Sequence, residues 1–99
     1  MTLDIEKIDN GTRIAVKGRL DTVTSQEFDS QVKNLGGDLG DVVLDCAEME
    51  YISSAGLRSF ITLLKGVKAS GKDLSVVNVI PAVRPVFDMT GFSKLFNLD

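Results

Sequence analysis

The stretch VVLDCAEMEYISSAGLRSFITLLK, Val42 to Lys65, carries three textures in succession. It opens on Val42-Val43-Leu44, an apolar run bounded by Asp41 and Asp45, which suits a short strand buried on both faces. It ends on Leu57, Phe60, Ile61 and Leu64, a series that Val67 continues at the i, i+3, i+4, i+7, i+10 spacing of an amphipathic helix. Arg58, Ser59, Thr62, Lys65 and Lys68 fall on the other side of that helix. Its lysines lie near the C-terminal end, where they complement the dipole, and Gly71 is the stop. Between strand and helix stand the smallest residues of the stretch, Ser53-Ser54-Ala55-Gly56.

Working outward, Leu3, Ile5 and Ile8 alternate roughly with charges, and Ile14 and Val16 point inward between polar neighbours. Asn10-Gly11 is a strong two-residue turn signal, so residues 3–9 and 12–18 are expected to pair as an antiparallel hairpin, closed by Gly18-Arg19-Leu20-Asp21. Thr24 and Glu27 then read as a capping box, with Val23 and Phe28 at the staple positions. Phe28, Val32 and Leu35 share one helical face, and Gly36-Gly37 stops that helix. Leu74 to Ile80 reads as another buried strand. Val83, Val86, Phe87 and Thr90 suggest a third helix ended by Gly91, distorted by Pro85 if that proline falls past the first turn. Phe92, Leu95, Phe96 and Leu98 complete a last short strand or helix. The order β-β-α-β-α-β-α implies an α/β fold: a mixed four- to five-stranded sheet with right-handed crossovers and helices packed on it. One domain spans residues 1–99, without repeats, low-complexity segments or linkers.

Composition removes several function classes. A net charge of −3 argues against nucleic acid and against anionic lipid as partners. The chain has no histidine, which excludes Ser-His-Asp and Cys-His nucleophile systems and the usual zinc sets. No glycine-rich loop of Walker type is present. The expectation is a protein that is not an enzyme and needs no metal or cofactor. Cys46 is the only cysteine, so no internal disulfide forms, which points to a reducing compartment. The N-terminal MTLDIEKIDN lacks the bases and apolar core of a signal peptide, and no apolar run nears the ~20 residues of a membrane span. These features point to the cytoplasm, with no membrane insertion.

The serine junction admits three readings. Ser54, or more weakly Ser53, is an N-cap for the helix that follows, a role worth about 1 kcal/mol. That leaves Gly56 unexplained in the first turn, although glycine beside serine lets another backbone approach closely. In the second reading Ser54 is a phosphorylation site, since helix N-terminal amides and the macrodipole favour the added charge. A hydrolase nucleophile is disfavoured, because neither serine has a glycine two residues before it.

Val42–Lys65 resembles the core of the STAS family, the bacterial anti-sigma-factor antagonists, in which a strand and short loop lead to Asp-Ser-Ser/Thr/Ala-Gly-Leu at a helix start. VKGRLD, Val16 to Asp21, resembles the family's Gly-x-Leu-Asp, and GKDLSVVNVIPAVRPVFDMTGFSKLF, Gly71 to Phe96, resembles its strand, Pro-Ala-Val, helix and F-x-x-x-G ending. The resemblance implies that Ser54 is phosphorylated by an anti-sigma-factor serine kinase, with Ser53 as the alternative acceptor. Ser53 stands where the family has aspartate, which removes a carboxylate beside the acceptor. The family mechanism is partner switching. The unphosphorylated antagonist binds the anti-sigma factor and frees the sigma factor; phosphorylation releases it, and a phosphatase resets it. ATP belongs to the kinase. The family also includes stand-alone adaptor subunits of lipid-transport ABC systems, for which no phosphorylation is needed.

Magnitudes restrict where such a switch acts. Moving a partner from about 99:1 bound to 1:99 takes roughly 5.5 kcal/mol, whereas losing one exposed ion pair supplies only about 0–1 kcal/mol. A phosphate on Ser54 therefore has to act inside the contact. The partner surface implied is Ser53, Ser54 and Gly56, the exposed helix face at Arg58 and Thr62, and the Asp21-Thr22 loop.

Overall fold

The computed structural model describes residues 1–36, 38–91, 94 and 97–98. Strands β1 (Thr2–Ile8) and β2 (Gly11–Leu20) form the expected antiparallel hairpin, in register from Thr2↔Lys17 to Ile8↔Gly11. The turn is one residue earlier than the Asn10-Gly11 signal implies: Asp9 and Asn10 make it, and Gly11 is already paired. Gly11 is needed for a different reason. A Cβ there would lie 1.7 Å from the Asp41 carbonyl oxygen, so only glycine lets the next strand pass.

Helix α1 (Thr22–Leu35) leads to β3 (Asp41–Asp45) and the short β4 (Met49–Ile52). Helix α2 (Ser54–Ala69), β5 (Leu74–Val77), α3 (Arg84–Met89) and β6 (Asn97–Leu98) complete the order. The strands lie in the sequence β1-β2-β3-β5-β6, antiparallel only at β1–β2, so the mixed α/β sheet with three helices is as expected. β3 pairs with the first half of β2 and β4 with its last residues, Gly18 to Leu20, both in parallel. No helix among the described residues is long and apolar enough to cross a membrane.

Several local expectations are corrected. β4 was not anticipated: only Met49 and Ile52 are buried while Glu50 and Tyr51 between them are exposed, so the period of two is missing. The register with β2 shifts at Gly18/Arg19, where Gly18 holds φ +86°, and that irregularity breaks the alternation. α1 starts at Thr22, two residues before the Thr24 cap. Asp21 is the N-cap and accepts from the Val23 and Thr24 amides, while Thr24 reaches back to the Asp21 amide. Val23, far from stapling the helix, is 76% exposed. β5 stops at Val77 instead of Ile80, because Asn78 turns the chain at φ +59°. Pro85 lies in the first turn of α3, where it does not distort the helix. In the C-terminal segment Phe92, Leu95 and Phe96 fall outside the described residues, whereas Leu98 ends β6.

The core forms on one face of the sheet. In β3, Val42 and Leu44 are fully buried and Val43 is half-buried; in β5, Leu74 and Val76 alternate in the same way with Ser75 and Val77. The Val42–Leu44 run is therefore not buried on both faces. The helices cover the buried face with a line of aromatic rings, one from each: Phe28 to Phe60 at 5.5 Å and Phe60 to Phe87 at 6.4 Å between centroids.

Candidate functional site

Everything at the serine corner is organised by the end of β2. The Leu20 carbonyl accepts from the Ser53 amide at 2.9 Å, so Ser53 is the last residue held in extended pairing, at φ −93°, ψ 174°. Ser53 is therefore the N-cap of α2, and its hydroxyl accepts from the Gly56 amide at 3.2 Å. This corrects the reading of Ser54 as the cap. Ser54 is the first helical residue; it is exposed, and its hydroxyl makes no hydrogen bond among the described residues.

Gly56 lies underneath. It is buried, and a Cβ on it would stand 2.8 Å from Ile52 Cγ1 and 2.9 Å from the Leu20 carbonyl oxygen. The glycine lets the first turn of α2 seat against β2 and β4, so it shapes the corner from within and presents no outer surface. The same point anchors α1. Thr24 Oγ1 donates to the Arg19 carbonyl at 2.8 Å, and the Asp21 carboxylate caps the helix one residue past Leu20. Hydrogen bonds from the Thr24 amide and hydroxyl, and from the Val23 amide, hold the Asp21 carboxyl below the usual carboxylate range. Asp21 is thus engaged in capping, whereas Thr22 is exposed.

The other expected residues meet in one place. A shallow hollow of about 270 Å³ opens between the starts of α1 and α2, lined by Thr22, Gln26, Asp29, Ala55, Arg58 and Thr62 among others. Thr22, Arg58 and Thr62 are exposed there, with Thr62 Oγ1 bonded back to the Arg58 carbonyl at 3.0 Å. Gln26 and Asp29 were missed in the sequence because they join the site only where α1 lies beside α2, a juxtaposition that the spacing within either helix does not show. Arg19 and Tyr51 were missed as well: the Arg19 guanidinium stacks over the Tyr51 ring at 4.3 Å, pinning β4 to β2 just before the serines. A larger groove of about 520 Å³ runs further along the two helices over Phe28, Val32, Leu63 and Val67, away from the serine corner.

Cys46, next to the corner in sequence, is fully buried. Burial, reinforced by the Asp45 charge, pushes its thiol up to about 12. That is the opposite of what a reactive cysteine needs. Asp45 itself gathers the ends of three strands: Arg13 from β2 forms an ion pair with it, and Asn78 after β5 donates to it at 3.1 Å, as does the Ala47 amide.

A mixed α/β sheet that brings two helix starts to one strand end, with an exposed serine at the second, defines a small domain built around a presented corner. The chain belongs to the STAS domain family, whose model matches residues 2–99. It is 31% identical over 98 residues to BtrV of Bordetella bronchiseptica, assigned as an anti-sigma factor antagonist, covering 97% of this chain and 84% of that one. Among solved structures, an anti-sigma factor antagonist from Mycobacterium paratuberculosis superposes with a TM-score of 0.87 at 26% identity, covering 98% of this chain and 83% of the other. The Bacillus protein SpoIIAA in its phosphorylated form shares the fold, with a TM-score of 0.75 at 15% identity over 99% of this chain and 91% of the other.

Proposed function

We propose that this chain is an anti-sigma-factor antagonist that works by partner switching, with Ser54 as the switch. Unmodified, it binds an anti-sigma factor that is also a serine kinase, and so frees a sigma factor in the cytoplasm. The kinase then transfers a phosphoryl group to Ser54. The serine oxygen forms a bond to the γ-phosphorus of ATP, the bond to the β–γ bridging oxygen breaks, ADP leaves, and the hydroxyl proton passes to a base of the kinase. A phosphatase later hydrolyses the new ester. The chain itself is a binding protein and supplies no catalytic group, cofactor or metal.

The observation that carries this reading is the division of labour between the serines. Ser54 offers an exposed hydroxyl with no hydrogen bond among the described residues, while the Ser53 oxygen is engaged with the Gly56 amide. That favours Ser54 over Ser53 as the acceptor. The names of the relatives supply the partner class. The binding surface we assign is Ser53 and Ser54 with Thr22, Arg58 and Thr62 around the hollow, while Asp21 and Gly56 hold the corner in shape.

The test is to incubate the protein with its cognate kinase and ATP and to map the phosphate by mass spectrometry. Modification at Ser54 is expected, lost in Ser54→Ala and kept in Ser53→Ala. Ser54→Asp should weaken kinase affinity more than tenfold. Phosphate confined to Ser53, or an unchanged affinity for Ser54→Asp, would overturn the assignment and return attention to the adaptor role in lipid transport.

A further inference from the structure

We propose that Arg58 is an internal clamp for the phosphoryl group on Ser54, so that modification withdraws Arg58 from the partner surface as well as adding charge to it. This rests on the reading of Ser54 as the modified residue.

Ser54 and Arg58 are four residues apart on α2, and both are exposed. Residues at this spacing are neighbours on a helix surface, and an acid N-terminal to its base is the better orientation. Helical side chains also lean toward the N-terminus, a tendency that brings the turn carrying Ser54 within reach of an arginine at position 58. Among the described residues the guanidinium holds no anion. Its helical neighbours at three and four residues, Ser54, Ala55, Ile61 and Thr62, are all uncharged, and Arg58 makes no ion pair among the described residues. The hollow lined by Arg58 contains a single carboxylate, Asp29 of α1, which is not paired with it. Phosphorylating Ser54 creates the first anion at helical spacing from Arg58. The planar guanidinium fork suits two phosphate oxygens at once. One covalent event then changes two features of the surface: a new charge appears at Ser54, and the cation beside it is neutralised. A partner carboxylate that met Arg58 in the unmodified complex loses that contact.

The experiment installs phosphoserine at position 54 of the full chain during synthesis, by genetic code expansion, so that no kinase is involved. Phosphorus NMR then follows the second phosphate ionisation, ordinarily near pH ~6. The charged groups facing the corner, Asp21 and Asp29 from α1 and Arg19 from β2, are common to every variant compared. The clamp is expected to lower this ionisation by roughly half a unit relative to Arg58→Gln. Arg58→Lys should recover part of the shift, and Lys65→Gln, the same charge loss further along α2, should match the unmutated chain. Equal ionisation with and without Arg58, or an equal effect of Lys65→Gln, overturns the clamp. The two readings fail separately. A shift in the synthetic phosphoprotein with no kinase action on Ser54 sinks the function and keeps the clamp, whereas kinase action with no shift does the reverse.

Discussion

At the residue scale, Ser53 and Ser54 are chemically identical neighbours separated by one change of backbone regime. Ser53 still pairs with Leu20, and Ser54 already belongs to the helix. Their substitutions should therefore part company in stability. Ser53→Ala is expected to cost about 1 kcal/mol through the lost cap, and Ser54→Ala less than about 0.5 kcal/mol, as read from denaturant midpoints. Equal costs would show that the cap is shared. The serine pair was visible in the sequence, and so was its place before a helix. The assignment of roles was not, because it depends on which residue last bonds to β2, a contact between positions far apart in the chain.

The elements show the same division. The phase of α2 follows from its apolar spacing, and Leu57, Phe60, Leu64 and Val67 are all buried as that spacing demands. What the spacing could not supply is how closely the helix seats. Gly56 looks expensive as a first-turn residue until Leu20 and Ile52 are placed beneath it. Gly56→Ala should destabilise the protein by about 1–3 kcal/mol through overpacking, even though alanine is the better helix former by up to about 1 kcal/mol. Thermal unfolding decides the sign, and a stabilised variant would mean that the helix start is loosely seated. β4 stayed hidden for a related reason. It is four residues long with a register shift opposite, so its burial pattern lacks the period of two that marks a strand.

Across the whole molecule, most of the order of strands and helices could be read from periodicity, β4 apart, because β2, β3 and β5 bury alternate residues against the same helical layer. The polar junction at Asp45 could not, since Arg13, Ala47 and Asn78 converge on it only after three strands have paired. Burial raises the Asp45 pKa, but the Asn78 and Ala47 hydrogen bonds and the Arg13 charge outweigh it, and the net shift is downward. A carboxyl with a depressed folded pKa stabilises above its unfolded value, near ~3.9, and that contribution fades as the pH falls through the folded value. Melting temperature should therefore drop on acidification below about pH 4. Asp45→Asn should lower it at neutral pH and flatten this acid limb. An unchanged acid limb in Asp45→Asn would assign the acid sensitivity to other carboxylates, Asp21 first among them.

The neutral cap of α2 has a consequence for how sharply the corner reports its state. The first turn of α2 holds no acid, and Ser53 stands where the STAS motif has aspartate. With aspartate at that position, a phosphate of about two negative charges would raise local charge from one to about three. In this chain the same event takes the turn from none to about two. A partner reading the corner meets the arrival of that charge in a turn that held no acid before, beside the exposed cation of Arg58.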